Sequence, residues 1–222
     1  MKNKVTMKLK SIWQDKSGLA LIEFAYSLPI FLGLGMYGSE VAYLTLQKTA
    51  LAQTTVSVAD NASRMGATLN DDVSKTIFET DVAQLIAGAE IQAGSLGLLE
   101  NGRIIISSLE QDADGNQQIA WQRCKGAKNV ASKYGAEGKN GTADSSFIGM
   151  GNTGNEIQAT SRDAVMFVEV TYTHKPIFGD MFLEDFTIYE EAAFNVRDSR
   201  DLDAGLVADG TPKSDCNVFS AV

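Results

Sequence analysis

Glu23 is the residue whose chemistry most needs explaining. It is the only charge in Leu19–Ser39, a run of 21 otherwise uncharged and mostly apolar residues, and Gly18 stands five positions before it. A carboxylate at the centre of a bilayer costs about 2.5–3.5 kcal/mol on insertion scales, and less near an interface. Neither a secretory signal nor a plain anchor has a use for that charge. Cleavage between Gly18 and Leu19 would supply one. The new N-terminus is a cationic amine, and Glu23 becomes the fifth residue of the mature chain. Amine and carboxylate can then neutralise one another, within a subunit or between packed subunits, and a paired charge is tolerated where a lone one is not. Glycine at 18 lets the backbone approach a peptidase site closely.

Other residues offer less. His174 is the only histidine; it ends a β-rich run, and neither a G-x-S-x-G motif nor a Cys-His pairing accompanies it, so nothing points to catalysis. Asp112-x-Asp114-Gly115-Asn116 has the look of a calcium loop, but the EF-hand pattern requires Gly at position six and Glu at position twelve. Those places hold Gln117 and Arg123, which leaves an Asp-Gly hairpin turn. Gly33, Gly35 and Gly38 spell G-x-G-x-x-G, yet they lie inside an apolar helical run rather than between a strand and a helix, so no dinucleotide site is expected. Their expected use, with Pro29, is helix packing and a helix kink. The tally of cofactors and metals expected from the sequence is none.

Charge sets the topology. Residues 1–17 carry five lysines against Asp15, a net +4, which leaves −13 on the remainder of a chain whose total is −9. An acidic body is a poor partner for phosphate backbones, so nucleic-acid binding is not expected. At 1.5 Å per residue, the Leu19–Ser39 run can cross a hydrocarbon core of about 30 Å. The basic head then stays cytoplasmic and the body lies on the far side of the membrane. A cleaved secretory signal would have a shorter apolar core and a small-x-small junction, and no clear one is present. Cys124 and Cys216, 92 residues apart, are compatible with one long-range disulfide in an oxidising compartment, or with two buried thiols.

The residues that carry the cleavage pattern resemble a known family. Gly18, Leu19-Ala20-Leu21-Ile22 and Glu23-Phe24 read G-x-x-x-x-E-F, similar to the prepilin processing site of the Flp/Tad branch of type IV pilus systems. With Ala25 and Pro29, the stretch from Ser17 to about Ala62 resembles the TadE-like family. The resemblance implies a minor pilin or pseudopilin of a tight-adherence pulus assembly or secretion system. It implies maturation by a prepilin peptidase, with other pilins and pilus-assembly components as partners. The bacterial inner membrane would hold it by a single pass, N-terminus cytoplasmic and C-terminal domain periplasmic, before any incorporation in an extracellular pilus. Tyr26 and Ser27 are more polar than the aliphatic residues usual there. The alternative, of a different class, is an uncleaved membrane-tethered domain that binds an envelope ligand, and the glycine-rich segment 124–161 is its support.

The elements that must position these residues follow from pattern. A leader covers 1–18, a transmembrane helix 19–39, an amphipathic extension 40–66 and an extracytoplasmic α+β domain 67–222. One helix is expected from Leu19 to Met65, and a second across Leu69–Glu90, capped by Asn70 or Asp71. Arg103–Leu109 and the run ending at Cys124 read as a hairpin about Asp114-Gly115. Ala164–His174 and Asp185–Arg197 read as two more strands, giving an antiparallel meander against the helices. Segment 124–161 reads as a long loop, either functional or mobile. Tyr172, Phe178, Phe182, Phe186 and Tyr189 are expected in the core. The expected fold class is thus α+β, a long N-terminal helix packed on an antiparallel sheet, as in pilins.

Overall fold

A computed structural model describes residues 17–69 and 74–222. The fold is α+β, with one long apolar N-terminal helix and two sheets. The chain divides into two compact units. One runs to Leu44 and takes in Pro176–Glu184; the other comprises Thr45–Lys175 and Asp185–Val222.

Helix α1 spans Ser17–Ala62 and passes through Pro29 without ending. From Gly18 to Ser39 its residues are exposed or half-buried, and Leu19, Leu21, Ile22, Phe31 and Leu34 all stand open. Its last turns differ. Gln47, Leu51, Thr54, Thr55, Val58, Ala59 and Ala62 are buried in the second unit, at the three- and four-residue spacings of a helix face. Threonine lowers helix propensity, but Thr55 Oγ1 returns its proton to the Leu51 carbonyl at 2.8 Å. Arg200 takes the carbonyls of Ala62 and Met65, each at 3.1 Å, so that oxygens left over at the helix end are satisfied.

The second helix begins later than the pattern suggests. Asn70 to Val73 lie outside the described residues, and Lys75–Phe78 is strand β2, not helix. β2 pairs antiparallel with β1 (Ala67–Thr68) and parallel with β7 (Leu206–Val207). Thr76, Ile77 and Phe78 are β-branched or aromatic and suit that ladder. Helix α2, Glu79–Ala93, starts where Asp81 accepts the Phe78 N–H at 2.9 Å. Val82, Ile86 and Ala89 form its buried stripe. A short helix α3, Leu98–Asn101, leads into the main sheet.

That sheet contains β3 (Gly102–Gln111), β4 (Gln117–Lys125), β5 (Val165–His174) and β6 (Phe186–Asn195), all antiparallel. Its order is β4-β3-β5-β6, which corrects the expected meander. The β3–β4 hairpin forms about Asp112–Asn116, and the chain then crosses over β3 so that β5 pairs on its other edge, with Ile105 opposite Glu169. The crossover is the glycine-rich segment, and it serves as a covering layer. Phe147, Met150 and Ala159 from it join Leu109, Ile119, Val165 and Phe167 in one buried cluster. Lys128 reaches Thr173 and Thr187, and the Tyr134 hydroxyl donates to Glu191 at 2.6 Å. The opposite face of the sheet carries Met166, Tyr172 and His174, which meet Arg200, Leu96 and Gln47. With both faces covered, β3 and β5 are buried along nearly their whole length, which is why apolar residues occupy consecutive positions in Ile104–Ile106 and Val165–Val168 rather than alternating with polar ones.

Two backbones approach closely at the start of the sheet. Gly126 has φ +131°, and a Cβ there would lie 2.4 Å from the Gly102 carbonyl. Only glycine fits a left-handed backbone against such a wall.

Candidate functional site

Gly18 and Leu19 are among the first described residues of α1. A side chain added at Gly18 would meet nothing within 4 Å. Leu19 is 66% exposed, Phe24 58%, and Glu23 is exposed between them. Residues 1–16, most of the expected leader, lie outside the described residues. Leu19 and Glu23 are four apart, hence on one face of the helix. Helical side chains tilt toward the N-terminus, so the Glu23 carboxylate leans toward the turn that contains the Leu19 nitrogen. A chain opened after Gly18 would therefore place its amine and this carboxylate at neighbouring positions of a single helix.

The glycines further along meet no neighbour among the described residues. A Cβ added at Gly33, Gly35 or Gly38 would meet nothing within 4 Å. All three are helical, so the G-x-G-x-x-G spelling lacks the strand-turn-helix context that a dinucleotide site needs. The helix is the one element among the described residues long and apolar enough to cross a membrane, with a mean hydropathy of 1.7 in its most apolar window.

Just beyond that window is a residue that pattern reading passed over. Glu40 is completely buried. Its carboxylate accepts the backbone N–H of Ile177 at 3.0 and 3.1 Å and that of Phe178 at 3.2 Å. These bonds bind the loop Pro176–Glu184, which joins β5 to β6, to the residue that follows the apolar run of α1. Tyr37 and Phe182 add an edge-to-face ring contact at 6.1 Å, and Phe178 stands against Phe182 at 6.3 Å. The expectation that five aromatics share the core holds only in part: Tyr172 is buried, Phe178, Phe182 and Tyr189 are half-buried, and Phe186 is exposed. Glu40 could have been found as the first charge after the apolar run, but its partners are 137 residues away in sequence.

In the other unit the polar groups that looked chemical are structural. His174 is buried, with Nδ1 2.5 Å from the Gln47 side chain and the Phe186 ring alongside. Asp112 accepts from the backbone N–H groups of Asp114 and Asn116, the ordinary bonding of an Asx turn. Among the described residues no three His, Cys, Asp or Glu side chains gather as a metal site requires. Cys124 and Cys216 form a disulfide. Beside it, buried Arg103 donates to the carbonyls of Gly126, Val218 and Cys216, the last at 2.6 Å, and stacks on Phe219. Bridge and guanidinium together fasten the C-terminal tail to the hairpin edge.

Two buried acid clusters also escaped the sequence. Arg123 binds both oxygens of Glu79, at 2.6–3.0 Å, and Glu137 at 2.8 Å. Glu169 is buried under the crossover, where it accepts from Ser132, the Lys133 N–H and the Tyr189 hydroxyl. Burial pushes the Glu169 carboxyl upward and outweighs these bonds, which favour the charged form. Burial, with the charges of Glu169 and Glu191, pushes the Tyr189 phenol upward too. Each cluster is closed by its own partners and works as a fastening. Set against protein-family models, curated proteins and solved structures, the chain matches none.

Proposed function

We propose that this chain is a TadE-like minor pilin or pseudopilin of a tight-adherence pilus or secretion system. The role is structural rather than enzymatic. The apolar half of α1 holds the protein in the inner membrane as a single pass, with the lysine-rich leader on the cytoplasmic side and the α+β body in the periplasm. A prepilin peptidase removes residues 1–18, and the released amine of Leu19 pairs with Glu23, in the same subunit or in a neighbour. The open surface of Gly33, Gly35 and Gly38 then takes the helix of another pilin or assembly component.

One observation carries this reading. The Gly18…Glu23-Phe24 pattern opens the described part of a helix whose apolar side chains are uncovered for the 21 residues after Gly18, apart from a few half-buried positions. A helix like that requires an apolar environment which the described residues do not provide. The disulfide agrees with an oxidising compartment for the body. The rival reading, an uncleaved binding domain, loses its main support, because the glycine-rich crossover is used to cover the sheet.

Expression with a prepilin peptidase, followed by mass spectrometry of the N-terminus, tests the proposal. Leu19 should be the first residue, and a bulky substitution such as Gly18→Leu should leave the leader on. A leader retained on wild-type protein purified from its own host would reduce the reading to an anchored envelope domain.

A further inference from the structure

We infer that the loop Pro176–Glu184 is a membrane foot, which seats Ile177 and Met181 in the outer boundary between lipid headgroups and acyl chains. The inference rests on the reading that α1 crosses the bilayer. Four features of the same compact unit lead to it.

The first is depth. At 1.5 Å per residue, Tyr37 lies about 27 Å along the axis from Leu19, close to the full hydrocarbon thickness of about 30 Å. Tyrosine favours that boundary, where its ring is in apolar surroundings and its hydroxyl in water. Phe182 touches Tyr37, so the loop sits at the same level.

The second is attachment. Three bonds from two consecutive N–H groups to the buried Glu40 carboxylate hold the loop against the helix. A loop that merely connected two strands would not need a buried charge to hold it there.

The third is exposure. Ile177 is 54% and Met181 69% open, on a loop whose remaining large side chains are already half-covered by Tyr37 and one another. These open apolar groups lie on the loop that is bound to α1 at Tyr37 and Glu40, where the uncovered apolar run of the helix ends. Apolar surface next to a membrane-spanning segment is covered at least cost by the same lipid.

The fourth is charge. Within Pro176–Glu184 the only charged residues are Asp180 and Glu184. A loop with two acids and no Lys or Arg is not drawn to anionic headgroups. Its seating is therefore apolar, and should be at least as strong on zwitterionic lipid as on anionic lipid, with any weakening on anionic lipid relieved by salt.

The full chain in phosphatidylcholine nanodiscs tests this, with the native disulfide kept oxidised. Cysteines are introduced singly at Met181 and at Leu32 within α1, and each carries a small environment-sensitive fluorophore; the same fluorophore on free glutathione in the disc suspension is the aqueous reference. Both native side chains are exposed, so the substitutions do not disturb packing. The Met181→Cys label should emit blue-shifted, be quenched several-fold more by lipid nitroxides placed near the headgroup than the aqueous reference, and resist aqueous iodide. Ile177→Cys should behave as Met181→Cys does. The inference is overturned if the Met181→Cys label responds to iodide like the aqueous reference while Leu32→Cys remains in lipid. If Leu32→Cys is also open to iodide, the membrane-spanning reading falls and takes the foot with it. If iodide protection at Met181 disappears in discs holding a single chain, a second copy covers the loop, and lipid does not.

Discussion

The Glu40 carboxylate receives the backbone N–H of Ile177 across 137 residues of chain, at 3.0 and 3.1 Å from its two oxygens. This contact joins the end of the apolar run of α1 to the loop between the last two long strands. It turns an acid that would otherwise end a hydrophobic run into a clasp. The pairing is of backbone to side chain, so the identity of the loop residues is free to serve what lies beyond the clasp.

Removing the clasp should free the loop. Charge-assisted bonds of this kind contribute about 1.5–3 kcal/mol each when their partners are buried. In Glu40→Ala, amide hydrogen exchange at Ile177 and Phe178 should accelerate by at least an order of magnitude, with β5 and β6 little changed. Glu40→Gln keeps one acceptor oxygen and should fall between. Unchanged exchange at both amides in Glu40→Ala would show that the ring contacts alone hold the loop.

Arg123 and Glu79 test what a buried ion pair is worth here. Both side chains are less than a tenth exposed. Arg123→Ala strands the Glu79 carboxylate and should cost about 3–5 kcal/mol, whereas Glu79→Leu with Arg123→Met should be neutral or better by about 1–4 kcal/mol. Urea unfolding of the single and double variants decides it. A double variant as weak as Arg123→Ala would mean that the pair is needed for packing, and not only for mutual neutralisation.

The Glu169 carboxyl gives a pH signature. Its folded pKa is raised above the ordinary 4.5, so the folded protein binds that proton more tightly than the unfolded chain does. The stability from this group is complete below the unfolded value and is lost as pH rises through the folded value. Glu169→Gln cannot titrate. The stability of Glu169→Gln relative to wild type should therefore increase as pH climbs upward from 4.5, and then level off. Glu110 is raised in the same direction but is present in both proteins and cancels in the difference. A flat difference would place the wild-type proton elsewhere.

Reduction of the Cys124–Cys216 bridge should lower stability by about 2–5 kcal/mol, the usual range for a native bridge closing a long loop. Asp215 to Phe219 should become the first segment cut by a protease. Arg103 keeps its three carbonyls in the reduced protein, so Arg103→Ala on top of reduction should release the tail further. A denaturation midpoint that ignores the reductant would show that Arg103 carries the tail alone.

Short-range chemistry was enough for several features. The long apolar helix, the Asp-Gly hairpin and the pair of strands near the C-terminus depend on residue periodicity and turn types that neighbours impose on one another. The Leu19–Glu23 spacing is equally local, because it needs only a helix to bring two positions four apart onto one face. Long-range pairing settled the remainder. Lys75–Phe78 became a strand because Ala67–Thr68 and Leu206–Val207 lie on either side of it, and the second helix waited for Asp81 to take the Phe78 N–H. The crossover became a layer because Phe147, Met150 and Ala159 found an uncovered sheet face. Glu40, Glu79 and Glu169 are surface-like residues by type. Each is buried only because hydrogen-bond donors distant in the chain converge on it, and such convergence exists only once the chain has folded.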